Sequence, residues 1–377
     1  MIEAPGFLLT VVAFLLVLGP LVFVHELGHY FVGRWCGVHA EAFAVGFGRE
    51  VAGFTDRRGT RWKFCWLPLG GYVRFAGDMN PASQPDAEWL ALPPAERART
   101  FQAKPVWQRA AIVAAGPAIN FLLAILILAG FAFAYGESRT PPLVHDVAPG
   151  SPAAAAGLAP GDRITAIGSR AIGDFDDVVR HVQLHPGEAT RVDFVRDGRT
   201  RSAELVIARV EEVDRFGNRF AIGRLGVARG RSERVPVSLF EAPAVAVRRT
   251  VQIVEMMVDS IAQIVTGRRS VEELGGPLRI AQASGQQFVL GIEPFVLLIA
   301  LVSINLGFIN LLPVPMLDGG HLLFYAIEAV RRRPVDPRVM EWAFRGGLVA
   351  LLTLMLFVTV NDLGAFGVWR GLAGLIG

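Results

Sequence analysis

Five residues near the N-terminus, His25-Glu26-Leu27-Gly28-His29, carry the side chains best suited to chemistry in this chain. On a helix His25 and His29 lie one turn apart on one face, so both imidazoles can reach a single Zn²⁺. Glu26 stands beside them, where it can polarise a water activated by the metal. The pattern is that of a zinc hydrolase, whose metal normally keeps three protein ligands and one open position. Two histidines leave one ligand to find.

The best candidate is Asp318, in Asn310-Leu311-Leu312-Pro313-Val314-Pro315-Met316-Leu317-Asp318-Gly319-Gly320-His321, a carboxylate set directly after an uncharged run. The prolines and glycines around it predict a broken or kinked helix, and irregular backbone is tolerated at membrane depth only against protein or a water-filled cavity. His321 is the rival ligand, and its position after the glycines favours a supporting or structural role.

The elements that must position these residues are apolar. Residues 7–24 run eighteen positions without a charge, long enough to cross most of a hydrocarbon core about 30 Å thick. A charged group at mid-bilayer costs about 2.5–3.5 kcal/mol, so His, Glu and His directly after such a run need a partner, and a metal supplies one. Further apolar runs at residues 110–135, 295–317 and 346–360, the last extendable through Trp342 and Phe344, predict four spans in all. With 52% hydrophobic and 19% charged residues and a mean hydropathy of +0.42, the chain is too apolar for a soluble protein of this length.

Residues 1–6 contain neither Lys nor Arg, and no cleavage signal follows, so the first helix is expected to stay attached. The segment between the first two spans carries eleven Lys and Arg, and the loop before the last carries Arg331, Arg332, Arg333 and Arg338. Both are expected in the cytoplasm, which puts both termini and residues 136–294 outside. The net charge of +3 and the pI near 9.2 then report topology, and no nucleic-acid partner is expected. Cys36 and Cys65 read as free thiols.

Between residues 49 and 75 the alternation in Arg61-Trp62-Lys63-Phe64-Cys65-Trp66, after Asp56-Arg57-Arg58-Gly59, predicts a β-hairpin whose aromatic face suits a membrane interface. Residues 79–105 are Pro-rich and read as a linker. Residues 144–227 read as a compact αβ module, with Ser151-Pro152-Ala153 starting a helix and Pro160-Gly161-Asp162-Arg163-Ile164 leading into a strand. Val251, Val254, Val258, Ile261 and Val265 form the apolar stripe of an amphipathic helix, and Leu274-Gly275-Gly276-Pro277-Leu278 breaks the chain after it. The expected fold is a polytopic α-helical membrane protein with four transmembrane helices, a cytoplasmic-side β-hairpin element and one external αβ domain. Its expected divisions are 1–33, 34–105, 106–136, 137–232, 233–293, 294–331 and 332–377.

These motifs resemble the site-2 protease family of intramembrane zinc metalloproteases. The resemblance rests on His25-Glu26-Leu27-Gly28-His29, Asn305-Leu306-Gly307-Phe308-Ile309-Asn310, Leu317-Asp318-Gly319-Gly320-His321, Pro68-Leu69-Gly70-Gly71-Tyr72-Val73 and Ala115-Gly116-Pro117-Ala118-Ile119-Asn120. It implies one zinc per chain on His25, His29 and Asp318, with Glu26 as general base. It also implies that Asn310 and Asn120 lie near the site, either holding substrate or an oxyanion or bonding a neighbouring helix. Gly70 and Gly71 match a membrane-associated β element that pairs with unwound substrate, or that merely covers the cytoplasmic face.

The αβ module resembles a single PDZ domain, and Leu225-Gly226-Val227 resembles its carboxylate loop, which captures peptide C-termini. Whether it binds peptide or filters bulky substrates stays open, with the filter favoured. The implied activity is cleavage of transmembrane segments of single-span membrane proteins in regulated intramembrane proteolysis, after a first cut by another protease. Anti-sigma factors and signal-peptide remnants are the implied substrates. The implied location is the cell inner membrane, with the bilayer itself a partner. A metal transporter or sensor leaves Glu26 unexplained, and a silent PDZ scaffold leaves the ligands unexplained.

Overall fold

A computed structural model describes residues 6–77, 92–213, 219–266 and 275–365 of the chain. The chain forms two compact units, one of Met1–Leu128, Arg249–Val254 and Leu274–Gly377, the other of Ala129–Arg248 and Glu255–Glu273.

The first unit begins with helix α1 (Phe7–Trp35). A helix satisfies its own backbone hydrogen bonds, which is what an apolar environment requires of a span. The helix continues well past the uncharged run, so His25, Glu26 and His29 lie inside it rather than at its end. Strands β1 (Ala40–Thr55) and β2 (Arg61–Phe75) follow. The hairpin read at 49–75 is larger, starting at Ala40.

Gly46, Gly48 and Gly70 adopt positive φ, which bends both strands so that each contributes twice. Residues 42–45 partner 71–74 on one side and 61–64 on the other, while residues 50–55 also partner the early part of β2. The result is a layer in the order 50–55, 61–65, 42–45, 71–74. The turn between the strands is tied by Asp56 Oδ1, which accepts from the amides of Arg58 (2.8 Å) and Thr60 (3.0 Å). Tyr30, Val38, Ala40, Phe43, Phe75 and Phe101 form the core that seats this layer on α1. Of the expected linker, residues 78–91 lie outside the described residues; the described remainder contains a short helix α2 (Pro94–Arg97) and leads into α3 (Val106–Tyr135).

The second unit is the αβ module. It comprises β3 (Glu137–Arg139), β4 (Val144–Val147), α4 (Pro152–Ala155), β5 (Arg163–Ile167), β6 (Arg170–Ala171) and α5 (Phe175–Leu184). These are followed by β7 (Ala189–Arg196), β8 (Arg199–Val206), β9 (Ala208–Val213), β10 (Arg219–Arg224), β11 (Val227–Arg229) and β12 (Glu233–Val235). Its main sheet has the order β6-β5-β7-β8, with β10 on β9, β11 on β4 and β12 on β3.

The helix starts of the module have direct local causes, and the one at Ser151 is where the sequence places it. Ser151 Oγ accepts from the Ala154 amide with Pro152 in the first turn, and Asp174 and Asp177 close a capping box on α5. Val178 and Val182 on α5 pack on Ile164, Ile167, Val192 and Ile207. The buried Asp162 carboxylate meets Arg196 Nε at 2.6 Å and the Ala159 amide at 2.8 Å. Burial alone would raise the Asp162 carboxyl, but those hydrogen bonds and the guanidinium charge hold it below the usual carboxylate range. The predicted amphipathic helix is α6 (Ala242–Val265), and Val251, Val258, Ile261 and Val265 of its stripe are exposed.

The first unit resumes with α7 (Pro277–Leu290), α8 (Ile292–Leu311), α9 (Asp318–Arg331) and α10 (Pro337–Ala365). Of the predicted break, Gly276 precedes α7 as its cap, and Leu274 lies outside the described residues. Buried Asp362 on α10 accepts from the Gly276 amide (3.3 Å) and pairs with Arg279 Nε at 3.0 Å, tying α10 to the start of α7. Among the described residues four helices, Phe7–Trp35, Val106–Tyr135, Ile292–Leu311 and Pro337–Gly364, are long and apolar enough to cross a membrane.

The third of these is shorter than the run of residues 295–317 suggests. α8 stops at Leu311 because Pro313 and Pro315 can neither donate to a preceding turn nor leave the residue before them helical. Asp318 therefore opens a separate helix instead of closing α8. Met316, between Pro315 and Leu317, takes φ +84°, a strained conformation held by surrounding structure. Gly319 and Gly320 lie so close to the carbonyls of Leu311, Leu312 and Val314 that no Cβ would fit.

Candidate metal centre

His25 and His29 sit one turn apart on α1, with Nε2 atoms 3.2 Å apart and rings nearly perpendicular at 80°. Asp318, the first residue of α9, meets them with Oδ2 3.2 Å from His25 Nε2 and 3.6 Å from His29 Nε2. A tetrahedral ion with bonds of about 2.0–2.2 Å spaces its ligands roughly 3.3–3.6 Å apart, close to all three separations. Asp318 Oδ2 is buried without a hydrogen-bond partner. Among the described residues no other trio of His, Cys, Asp or Glu converges in this way. Two imidazole nitrogens and a carboxylate oxygen gathered about one point form a donor set for a cation, and nitrogen and oxygen donors suit zinc.

The surroundings orient the rings. His29 Nδ1 donates to the Ile112 carbonyl at 2.9 Å, which leaves Nε2 bare toward the shared point. Pro117, one turn further along α3, lacks the N–H that would bond Val113 and crowds that turn. On the other ring, the Asn120 side-chain amide approaches His25 Nδ1, its Nδ2 at 3.1 Å, and Asn120 is fully buried. The Asn120 carbonyl accepts from Ser303 Oγ at 2.8 Å, linking α3 to α8. Arg109 bonds Glu328 at 2.7 Å and lies over the Tyr325 ring, linking α3 to α9. Gly116 lies directly against His29 and His25, where any Cβ would enter the imidazoles' space. Gly28 lets α1 touch the α3 backbone at Ala115.

Glu26, also buried, stands outside the ligand trio but in the same cavity of about 370 Å³. A Cβ at Gly71 would come within 2.9 Å of its Cγ, so the glycine makes room for the carboxylate. Gly70, Gly71, Asn310 and His321 also line the cavity. The structure thus brings together His25, Glu26, His29, Asp318, Asn120, Asn310, Gly70 and Gly71. His321 is beside the trio rather than in it; its ring packs on Phe344 with centroids 4.7 Å apart, and its Nδ1 is buried without a partner. Sequence reasoning missed the Ile112 carbonyl, a backbone atom without a residue signature.

Leu225, Gly226 and Val227 line a separate groove of about 280 Å³ in the αβ module, with Phe175, Val178 and Val182 of α5 opposite. The carbonyls of Leu225 and Gly226 accept from the amides of Ala153 (3.0 Å) and Ala148 (2.8 Å). Gly223 touches the Val182 carbonyl so closely that the helix and strand are in contact at that point.

The chain matches the model of peptidase family M50 over residues 13–354. A protein of Agrobacterium fabrum named as a zinc metalloprotease is 47% identical over 96% of this chain and 98% of its own length. One of Rhizobium meliloti, named likewise, is 46% identical over 94% of this chain and 96% of its own. The metalloprotease MmpA of Caulobacter vibrioides is 38% identical over 98% and 99%. The solved PDZ domain of an SdrC-like protein from Listeria monocytogenes is 19% identical, covering 23% of this chain and 84% of that domain with a TM-score of 0.18, too low to assign a fold.

Proposed function

The chain belongs to peptidase family M50 and is a multi-pass membrane zinc metalloprotease, and from that premise we propose that it cuts transmembrane segments of other membrane proteins. The observation that carries this reading is the convergence of His25, His29 and Asp318 inside apolar helices, with Glu26 in the same cavity. His25, His29 and Asp318 hold one zinc, which when bound supplies Lewis-acid chemistry, acidifying water and polarising a carbonyl oxygen. Glu26 takes the proton of the attacking water and passes it to the leaving amine. Burial keeps bulk water away from Glu26 and concentrates its field on the reacting atoms. Asn310, on the cavity wall, holds the substrate backbone.

An extended substrate reaches the cavity along the outer strand 71–74 of the β layer, whose edge is a template for pairing. Gly71 lets that strand lie close against Glu26. Substrates are single-span proteins already trimmed by another protease, such as anti-sigma factors or signal-peptide remnants, in the cell inner membrane. The β layer and basic loops face the cytoplasm, and the αβ module and both termini face outside. The module is a PDZ domain acting as a filter, and contact between β10 and α5 at Gly223 and Val182 favours that over a peptide clamp. Leu225, Gly226 and Val227 are where a peptide C-terminus enters if it does bind.

The test is Glu26→Gln in the full chain, measured for zinc content and for cleavage of a co-expressed single-span substrate. Zinc is retained while cleavage falls by at least about 100-fold, the lower range for losing a general base. Cleavage at the wild-type rate rejects Glu26 as the base, and loss of zinc makes it a ligand.

A further inference from the structure

The two histidines on α1 are both approached from α3, but by different kinds of group. His29 Nδ1 donates to a backbone carbonyl, that of Ile112. At His25 the partner is the side-chain amide of Asn120, with Nδ2 at 3.1 Å. That orientation has the amide donating to a bare Nδ1, which leaves the His25 proton on Nε2, facing Asp318 Oδ2 at 3.2 Å. A neutral imidazole carries one proton, so a ring whose Nε2 is bare toward a cation must carry it on Nδ1. Nδ1–H needs an acceptor, and Asn120 Oδ1 is the one at hand.

Asn120 Oδ1 is buried without a hydrogen-bond partner among the described residues, so the contact seen for the amide is that of Nδ2 with His25. The oxygen and nitrogen of an amide are nearly equal in size, so a half-turn about the last side-chain bond exchanges them without moving the helix. Ser303 meanwhile grips the Asn120 carbonyl, so the side chain turns on a fixed base. One orientation suits a proton between His25 and Asp318, the other a bare Nε2.

The geometry points to Asn120 as the positioning residue of the metal centre: its Oδ1 accepts from His25 Nδ1–H and so turns the bare Nε2 toward the cation. This rests on His25 being a zinc ligand, as proposed above. Asn120 does not touch substrate or the reacting atoms; it acts through His25, as the Ile112 carbonyl acts through His29. Asparagine is suited to the place because it serves both tautomers, whereas a carboxylate there accepts only.

The experiment measures zinc affinity by chelator competition in the detergent-solubilised full chain, for wild type, Asn120→Leu and Asn120→Asp. Removing a partner of a ligating histidine typically costs about 10–100-fold in metal affinity. Asn120→Leu is expected to lose that much, and Asn120→Asp, which still accepts, to stay within a few-fold of wild type. Wild-type affinity in Asn120→Leu, or equal loss in both variants, overturns the proposal. A wild type that binds no zinc overturns the metal reading itself, so the two failures are distinct. Should a variant fail to fold, ¹⁵N resonances of the zinc-loaded wild type decide: the proposal requires a protonated Nδ1 and a ligated Nε2 on His25, and the reverse assignment sinks it.

Discussion

Two pairs of histidines in this chain share the same four-residue spacing and end in opposite arrangements. On α1, His25 and His29 are crossed at 80° with Nε2 atoms 3.2 Å apart, and a carboxylate from 289 residues further along completes the set. On the αβ module, His181 and His185 lie flat against each other, ring centroids 4.3 Å apart and planes 22° apart, and His185 Nδ1 spends itself on the His181 carbonyl. Stacked rings direct their lone pairs side by side rather than at one point. Helical spacing makes convergence available; hydrogen-bonding partners on another helix and a distant third group make it happen.

The largest effect should come from removing that third group. Asp318→Ala is expected to abolish stoichiometric zinc, a loss beyond the roughly 100-fold at the top of the range for outer partners. His181→Ala with His185→Ala should leave one zinc per chain and full cleavage, measured by metal analysis and substrate turnover. If the module pair rather than Asp318 sets the zinc content, the contrast drawn between the two arrangements is wrong.

How much of this the sequence discloses follows from distance along the chain. His25, Glu26 and His29 are legible because helical geometry relates neighbours four apart, and the capped start of α4 at Ser151-Pro152-Ala153 is legible because it too is a matter of near neighbours. Asp318 is legible as a carboxylate out of place after an apolar run, but not its position at the start of α9, which depends on two prolines ending α8 and two glycines packing on its carbonyls. The doubled pairing of the β layer escapes because nothing in residues 40–45 signals a partner on each side; glycines in positive φ at 46, 48 and 70 bend the strands so that 42–45 lies between both halves of β2. The facing of Asn120 and His25, 95 residues apart, has no local signal at all. What is long-range is visible only as an isolated oddity: a polar residue in an apolar helix, a proline inside one.

Glycines sharpen the comparison at a smaller scale. Gly116 lies under His25 and His29, and Gly223 under α5 at Val182. Alanine is better than glycine in a helix by about 1 kcal/mol, so Gly116→Ala should cost little in folding while pushing the imidazoles off their shared point; zinc affinity and cleavage are expected to fall at least about 10-fold. Gly223→Ala should do the reverse, overpacking the module at a cost of about 1–3 kcal/mol with zinc content unchanged. Chelator competition separates them from thermal unfolding of the full chain. Zinc loss from Gly223→Ala, or none from Gly116→Ala, would break the division of labour between the two regions.

The smallest effect belongs to the stacked pair itself. Burial lowers the His181 imidazole below its ordinary value, His185 and Arg170 push the same way, and Glu188 and Asp259 oppose them. A base whose folded value is depressed is held neutral by the fold, so its contribution to stability is present above the ordinary histidine value of about 6.5 and is lost as pH falls through the folded value. Amide exchange across residues 175–185 of the full chain, corrected for intrinsic rates, should therefore rise a few-fold between neutral pH and pH values below the folded one. His181→Gln, neutral throughout, should flatten that rise. Protection that increases on acidification, or that is indifferent to His181, would mean the half-buried His181 ring is not held neutral by the fold and that the module tolerates a charge where the structure packs one ring on another.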